Sequence, residues 1–386
     1  LLADLRINRI TYAELNFWAT IVGATGALGI GRLIDRFGSR LVLTILALGL
    51  GIVVCTMSQA TSIRMLAITL LLTRALGQSA LSVVSTTMVG QWFVRRIDSA
   101  MAVYSVVLSI GFMIAFPLVG AFVQQWGWRP AWFVVGAAIA ALLAPAAWRF
   151  VRDTPESVGI VVDGNAAGME TASVANRERL AGYPWTAAIG THAFWSFGIG
   201  AALYGLVASG IGLFNESILA ERSFGPEVYY RSLAVTAMTG LAGNFLGGWL
   251  AARMPPTRLL AASMGILTLG LAALPHVSVE WHVMLWAAAM GLGGGFVMVL
   301  FFAVWPRVFG RRHLGRIQGT AQAVTVLASA IGPLLLAWCV TLTGSYSWAF
   351  TLLAAVIGLV ALDAFFVSLP PPVVVPPADA RAEMSR

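Results

Sequence analysis

Eleven apolar stretches of about 20 residues or more, separated by short polar connections, fill most of this chain. At ~1.5 Å rise per helical residue, each can cross a hydrocarbon core of roughly 30 Å. The spans read as Ala13–Leu33, Leu41–Ser58, Met65–Val89, Ala100–Gln124, Ala131–Phe150, Ala187–Asn215, Val228–Ala251, Leu259–Leu274, Val283–Val304, Ile317–Thr341 and Ser347–Val367. None alternates with the period of two that a membrane barrel needs, so helices are the spanning structure that satisfies the backbone. The expected class is all-α and polytopic. With 59% hydrophobic and only 10% charged residues, the chain lacks the charged surface that keeps a large soluble enzyme in solution.

The net charge of +8 comes from 24 basic residues, all of them Arg. Their placement argues for membrane topology rather than nucleic-acid binding. If the first span enters from outside, seventeen Arg fall on the inner side and six on the outer, with Arg74 inside a span. The positive-inside rule then puts the amino end outside and the carboxyl end in the cytosol, in a multi-pass protein of the cell's inner or plasma membrane. Cys55 and Cys339 lie within apolar spans, and His192, His276, His282 and His313 lie at span ends or in loops. No metal site, cofactor or catalytic residue is indicated, and no phosphate-binding Gly-rich loop is visible.

One long polar stretch divides the chain. Residues 1–151 are expected to form a bundle of five spans, 152–185 a cytosolic linker, 186–369 a bundle of six spans, and 370–386 a disordered cytosolic tail rich in Pro. The halves repeat each other at an offset of 216 to 217 residues. Gly31, Leu33 and Arg36 map onto Gly248, Leu250 and Arg253; Arg95 and Arg96 onto Arg311 and Arg312; Pro117 and Leu118 onto Pro333 and Leu334; Gly127 onto Gly344. Repetition of a six-helix unit implies a substrate site at the midplane, between the two copies. The first residue is Leu, and a helix before it would make the halves equal, so one helix is expected to be missing.

Between the first two spans stand Gly31, Leu33, Asp35, Arg36, Gly38 and Arg40. This pattern resembles the loop signature of the major facilitator superfamily at every defined position. The resemblance implies a two-bundle transporter fold with eleven of twelve helices present. It also implies a cytosolic latch built from Gly31, Asp35, Arg36, Gly38 and Arg40, with Asp35 pairing to an Arg of a nearby helix. The second copy has Ala252 in place of Asp35. Gln91, Trp92, Phe93, Arg95, Arg96 and Asp98, followed by Pro117, Leu118, Gly127, Trp128 and Arg129, resemble the monocarboxylate and oxalate-formate branch, which adds Arg95 and Arg96 to the gate. At the positions where proton-coupled members of that branch carry Asp and Arg, this chain has Gly240 and Asn244.

A charge within a span costs roughly 2.5–3.5 kcal/mol and requires a reason. Arg74 is followed by Gln78, Ser82 and Ser85 on one helix face, so it either lines a hydrated cavity and holds an anion or pairs with another helix. Gln318, Gln322, Thr325 and Ser329 form a second polar face, which contacts substrate or joins helices. Tyr204 and Asn215 share a face of the sixth span, and neighbouring Glu216 is either a solvated helix-end carboxylate or a proton-coupling group. Trp305 is a candidate for closing a gate at the inner end of its span.

The expected function is secondary active transport of a small organic anion, a mono- or dicarboxylate, by alternating access within the lipid bilayer. Arg74 would hold the anion, helped by Gln78, Tyr204, Asn215, Asn244, Gln318 and Gln322, with a proton or a counter-substrate as the coupled species. Two alternatives stay open: a drug or metabolite exporter of the same superfamily, and a degenerate membrane protein without transport activity.

Overall fold

A computed structural model describes residues 9–94, 96–160 and 182–371. The central part of the linker, the tail beyond 371 and the expected gate residue Arg95 lie outside the described residues. Among the described residues, eleven helices are long and apolar enough to cross a membrane. We label them α1 (Arg9–Phe37), α2 (Ser39–Ser58), α3 (Ile63–Trp92), α4 (Ile97–Trp126), α5 (Trp128–Phe150), α6 (His192–Glu221), α7 (Pro226–Ala251), α8 (Pro256–His276), α9 (Glu280–Phe309), α10 (Leu314–Thr343) and α11 (Ser347–Phe366).

The helices stop where the backbone needs what only glycine supplies cheaply. Gly38 (φ 82°), Gly127 (φ 84°), Gly310 (φ 74°) and Gly344 (φ 74°) occupy the positive-φ region at the ends of α1, α4, α9 and α10. Ser62 and Thr191 cap α3 and α6 by accepting from the amides of Met65 and Phe194. This cap shifts the expected sixth span. Residues Trp185–Ile189 form a short separate helix, the chain turns at Gly190, and α6 starts at His192 rather than Ala187. Two helices depart from α geometry, with π-helical turns at Arg74–Leu81 in α3 and Ile139–Leu143 in α5.

Lipid gives helices no hydrophobic reason to associate, so close packing of small residues does much of the work. In the first half, α2 lies on α5 where a β-carbon at Gly51 would be 2.7 Å from the Gly136 carbonyl oxygen, and α1 lies on α3 at Gly23 and Ala75. In the second half, α6 packs on α10 through Gly205, Gly210 and Gly332, and α7 on α9 through Gly243, Gly291 and Gly295. The buried core of this half is continuous from Ala188 to Val367, whereas buried residues of the first half fall into smaller groups. The halves meet where α1 crosses α10 and α4 crosses α7.

Candidate functional site

By alternation, one end of the helix array carries the α1–α2, α3–α4, α7–α8 and α9–α10 turns together with most of the Arg residues; this is the arginine-rich end.

Arg74 opens the π-helical turn of α3 and is half-buried. Its Nη1 donates to Gln78 Oε1 at 3.0 Å and its Nη2 to Asn16 Oδ1 of α1 at 2.9 Å. Both acceptors are neutral amide oxygens, so they orient the guanidinium without cancelling its charge. Among the described residues no ion pair includes Arg74. Asn16 was not singled out in the sequence; the available signal was an amide near the start of an otherwise apolar span. π-Helical turns are frequent at functional sites, and the Arg74–Gln78 contact, between residues four apart, lies within this one. Further along α3, Ser85 Oγ is 2.8 Å from the Tyr104 hydroxyl of α4.

The remaining candidates separate. Asn244, 2% exposed, donates to Ser109 Oγ at 2.9 Å and so joins α7 to α4. Gln318, 3% exposed, accepts from Thr87 at 2.5 Å and joins α10 to α3. One turn on, Gln322 is half-buried. The Tyr204 ring lies against Gly294, where a β-carbon would come within 2.9 Å of it. Asn215 is buried, whereas the next residue, Glu216, is exposed near the far end of α6. Trp305 is fully buried in the core of the second half, with ring centroids 5.2 Å from Phe194 and 5.8 Å from Phe301.

At the arginine-rich end the halves are held together. The Asp35 carboxylate accepts from the backbone amides of Gly315 (3.0 Å) and Arg316 (3.2 Å) at the start of α10, with Arg316 Nε 3.6 Å away. The amide ends of that helix favour a carboxylate. Gly31 makes the approach possible, since a β-carbon there would be 2.7 Å from the Gly315 carbonyl carbon. Its repeat-mate Gly248 plays the same part against Ala102 where α7 crosses α4.

The other signature residues act within the first half. Gly38 leaves room for the Asp153 carboxylate, which accepts from the Arg40 amide at 2.8 Å. The Arg40 guanidinium stacks on Trp148, Arg36 stacks on Phe37, and Arg96 is exposed.

Two further clasps went unread in the sequence. Asp98 of α4 pairs with Arg307 of α9 at 2.9 Å. Arg311 is buried, exchanges hydrogen bonds with Gln91 of α3 and is gripped by Glu156 at 2.9 and 3.3 Å. Partial burial is the largest single influence and works against a charged Glu156, but the hydrogen bonds and charge of Arg311, with the Glu156 backbone amide and Thr154, together outweigh it and hold this carboxyl below the usual range.

Comparison with known proteins agrees with this architecture. A stretch of 119 residues, 30% of the chain, is 31% identical to the multidrug resistance protein B homolog of Mycobacterium tuberculosis; it covers 21% of that relative, so the chain matches a minor part of its length. Among solved structures, the human organic anion transporter TETRAN superposes with a TM-score of 0.70 at 17% identity, covering 92% of this chain and 83% of that one. The E. coli fucose:proton symporter gives 0.68 at 14% identity, with 93% and 91% coverage. A proton:xylose symporter gives 0.67 at 16% identity, with 93% and 86% coverage. At these identities the likeness is one of fold. The three structural relatives are transporters by name, not enzymes. The profile of the Major Facilitator Superfamily matches residues 1–283 and 197–385, and the chain belongs to that family.

Proposed function

We propose that the chain is a secondary transporter that moves a small organic anion, a mono- or dicarboxylate, by alternating access. The observation that carries this reading is Arg74, a charge within a membrane-length helix of the first half that is oriented by two neutral partners of the same half, Asn16 and Gln78. A carboxylate that replaces the Asn16 and Gln78 amides would meet an oriented fork able to hold it by two parallel hydrogen bonds. Gln322 and Tyr204 are half-buried in the present form, while Asn244, Gln318 and Asn215 are buried, so the latter three would reach substrate only when the crossings open.

In this reading the arginine-rich end is cytosolic, and Asp35 on the amide end of α10 is the latch that keeps it shut. The coupled species is a proton or a counter-substrate.

The test is uptake of radiolabelled monocarboxylates and dicarboxylates into proteoliposomes. Arg74→Ala should abolish uptake while leaving folded protein in the membrane, and Arg74→Lys should impair it at least tenfold, because Lys keeps the charge but not the fork. Unchanged uptake in Arg74→Ala would overturn the assignment. The curated relative named as a multidrug resistance protein favours a second reading, drug export. Efflux of a lipophilic cationic dye that survives Arg74→Ala would support it.

A further inference from the structure

We propose that the corner where α2 meets α5, at the arginine-rich end, is a binding site for the phosphate of an anionic phospholipid. Arg40, at the start of α2, lays its guanidinium over Trp148 with Cζ 4.2 Å from the ring centroid and donates Nε–H to the Trp148 carbonyl oxygen at 2.8 Å. Arg149, next along α5, sits over Phe150 at 5.9 Å. Both rings face outward, Trp148 at 50% and Phe150 at 78% exposure. Stacking uses the flat face of a guanidinium and leaves the N–H donors around its edge free to form a fork. Among the described residues no protein acceptor meets the Arg149 guanidinium.

Three observations point to a lipid rather than to a soluble phosphate. First, exposed aromatic rings with cationic tips at the ends of apolar helices belong at the headgroup level of a bilayer. Second, Leu41, Ile45, Leu48 and Ile52 form an exposed apolar stripe along α2, starting directly beside Arg40, with the spacing that lines one helix face. An acyl chain can lie along this stripe while the phosphate sits at its head. Third, the two ends of the molecule differ in charge. The opposite end mixes Glu14, Glu216, Glu221 and Glu227 with Arg64, Arg129, Arg222 and Arg231, whereas this corner has Arg40, Arg149 and Arg152. The neighbouring carboxylate Asp153 accepts from the Arg40 amide. A phosphodiester bridging Arg40 and Arg149 would tie α2 to α5 and fix the level of this end in the membrane.

Native mass spectrometry of the whole chain in detergent, titrated with dioleoylphosphatidylglycerol or dioleoylphosphatidylcholine, tests the proposal without reference to transport. The anionic lipid should bind at least tenfold more tightly. Arg149→Gln lies at an exposed helix end and should weaken that binding about fivefold, with a further fivefold for added Arg40→Gln. Arg129→Gln, at the opposite end, should leave it unchanged. Equal affinity for the two lipids, undiminished binding in Arg149→Gln, or displacement of the lipid by millimolar inorganic phosphate would each overturn the site.

Discussion

Helices α4 and α10 are equivalent pieces of the repeat, and they share what a helix carries in itself. Each runs for 30 residues, contains a proline at the matching position (Pro117 and Pro333), and ends on a glycine with positive φ. Their surroundings differ. α10 is pressed onto α6, where the Gly332 Cα abuts the Leu206 carbonyl and Ser209 Oγ donates to the Ser329 carbonyl at 2.7 Å. Along α4, Val103, Val107, Ile110, Ile114 and Leu118 are exposed, and a β-carbon at Gly111 or Gly120 would meet nothing within 4 Å. Length, proline and terminal glycine thus travel with the segment, whereas burial belongs to the pair. A repeat fixes the first set in both halves and leaves the second to whichever neighbour is present.

The sharpest contrast should come from the faces themselves. Gly332→Val would drive a branched side chain into the backbone of α6, and we expect loss of most folded protein, scored by size-exclusion monodispersity after extraction. Gly120→Val should leave the profile unchanged. Equal damage from the two would break the comparison and mean that another helix covers α4.

A smaller effect is expected at the two crossings, where the repeat-mates Gly31 and Gly248 sit against Gly315 and Ala102. Gly31→Leu and Gly248→Leu should each leave the bundles folded but slow transport at least tenfold, because the arginine-rich end can no longer close. Cysteine accessibility at that end should rise in both. A response in only one would show that the crossings are not equivalent.

The weakest effect tests what the helices share. Gly344→Ala, at φ 74° and ψ 2°, should cost about 1 kcal/mol, and Gly127→Ala, at φ 84° and ψ 168°, up to about 3 kcal/mol, because only the first lies in the left-handed region that other residues sometimes enter. Both are read as drops in thermal midpoint, and an equal drop at the two sites would mean that packing reaches the Gly344 cap.

The same division explains what could be read in the sequence. Apolar length and turn glycines marked all eleven helices, because spanning a membrane is a property of one segment. Gly31 and Asp35 were legible from a local pattern, and their contact with α10 matches the approach that small size and charge permit. Asn16, Ser109 and Thr87 were not, since each matters through a partner 58 to 231 residues away. Trp305 was a gate candidate on its depth alone, and depth does not reveal that its ring is fully buried. The π-helical turn at Arg74 has no local mark, because i to i+5 bonding in a helix interior answers to packing on both sides.

The crossing of α1 on α10 joins backbone to backbone at Gly31, Gly315 and Gly319. Surfaces of interlocked side chains come apart only as each rotamer finds a way out, and they re-form only after a search. Glycine has no side-chain entropy to lose or regain. A joint of this kind can open and close many times with little internal friction, leaving the frequency of exchange to the hydrogen bonds of Asp35 and to the water that must reach the newly bared amides.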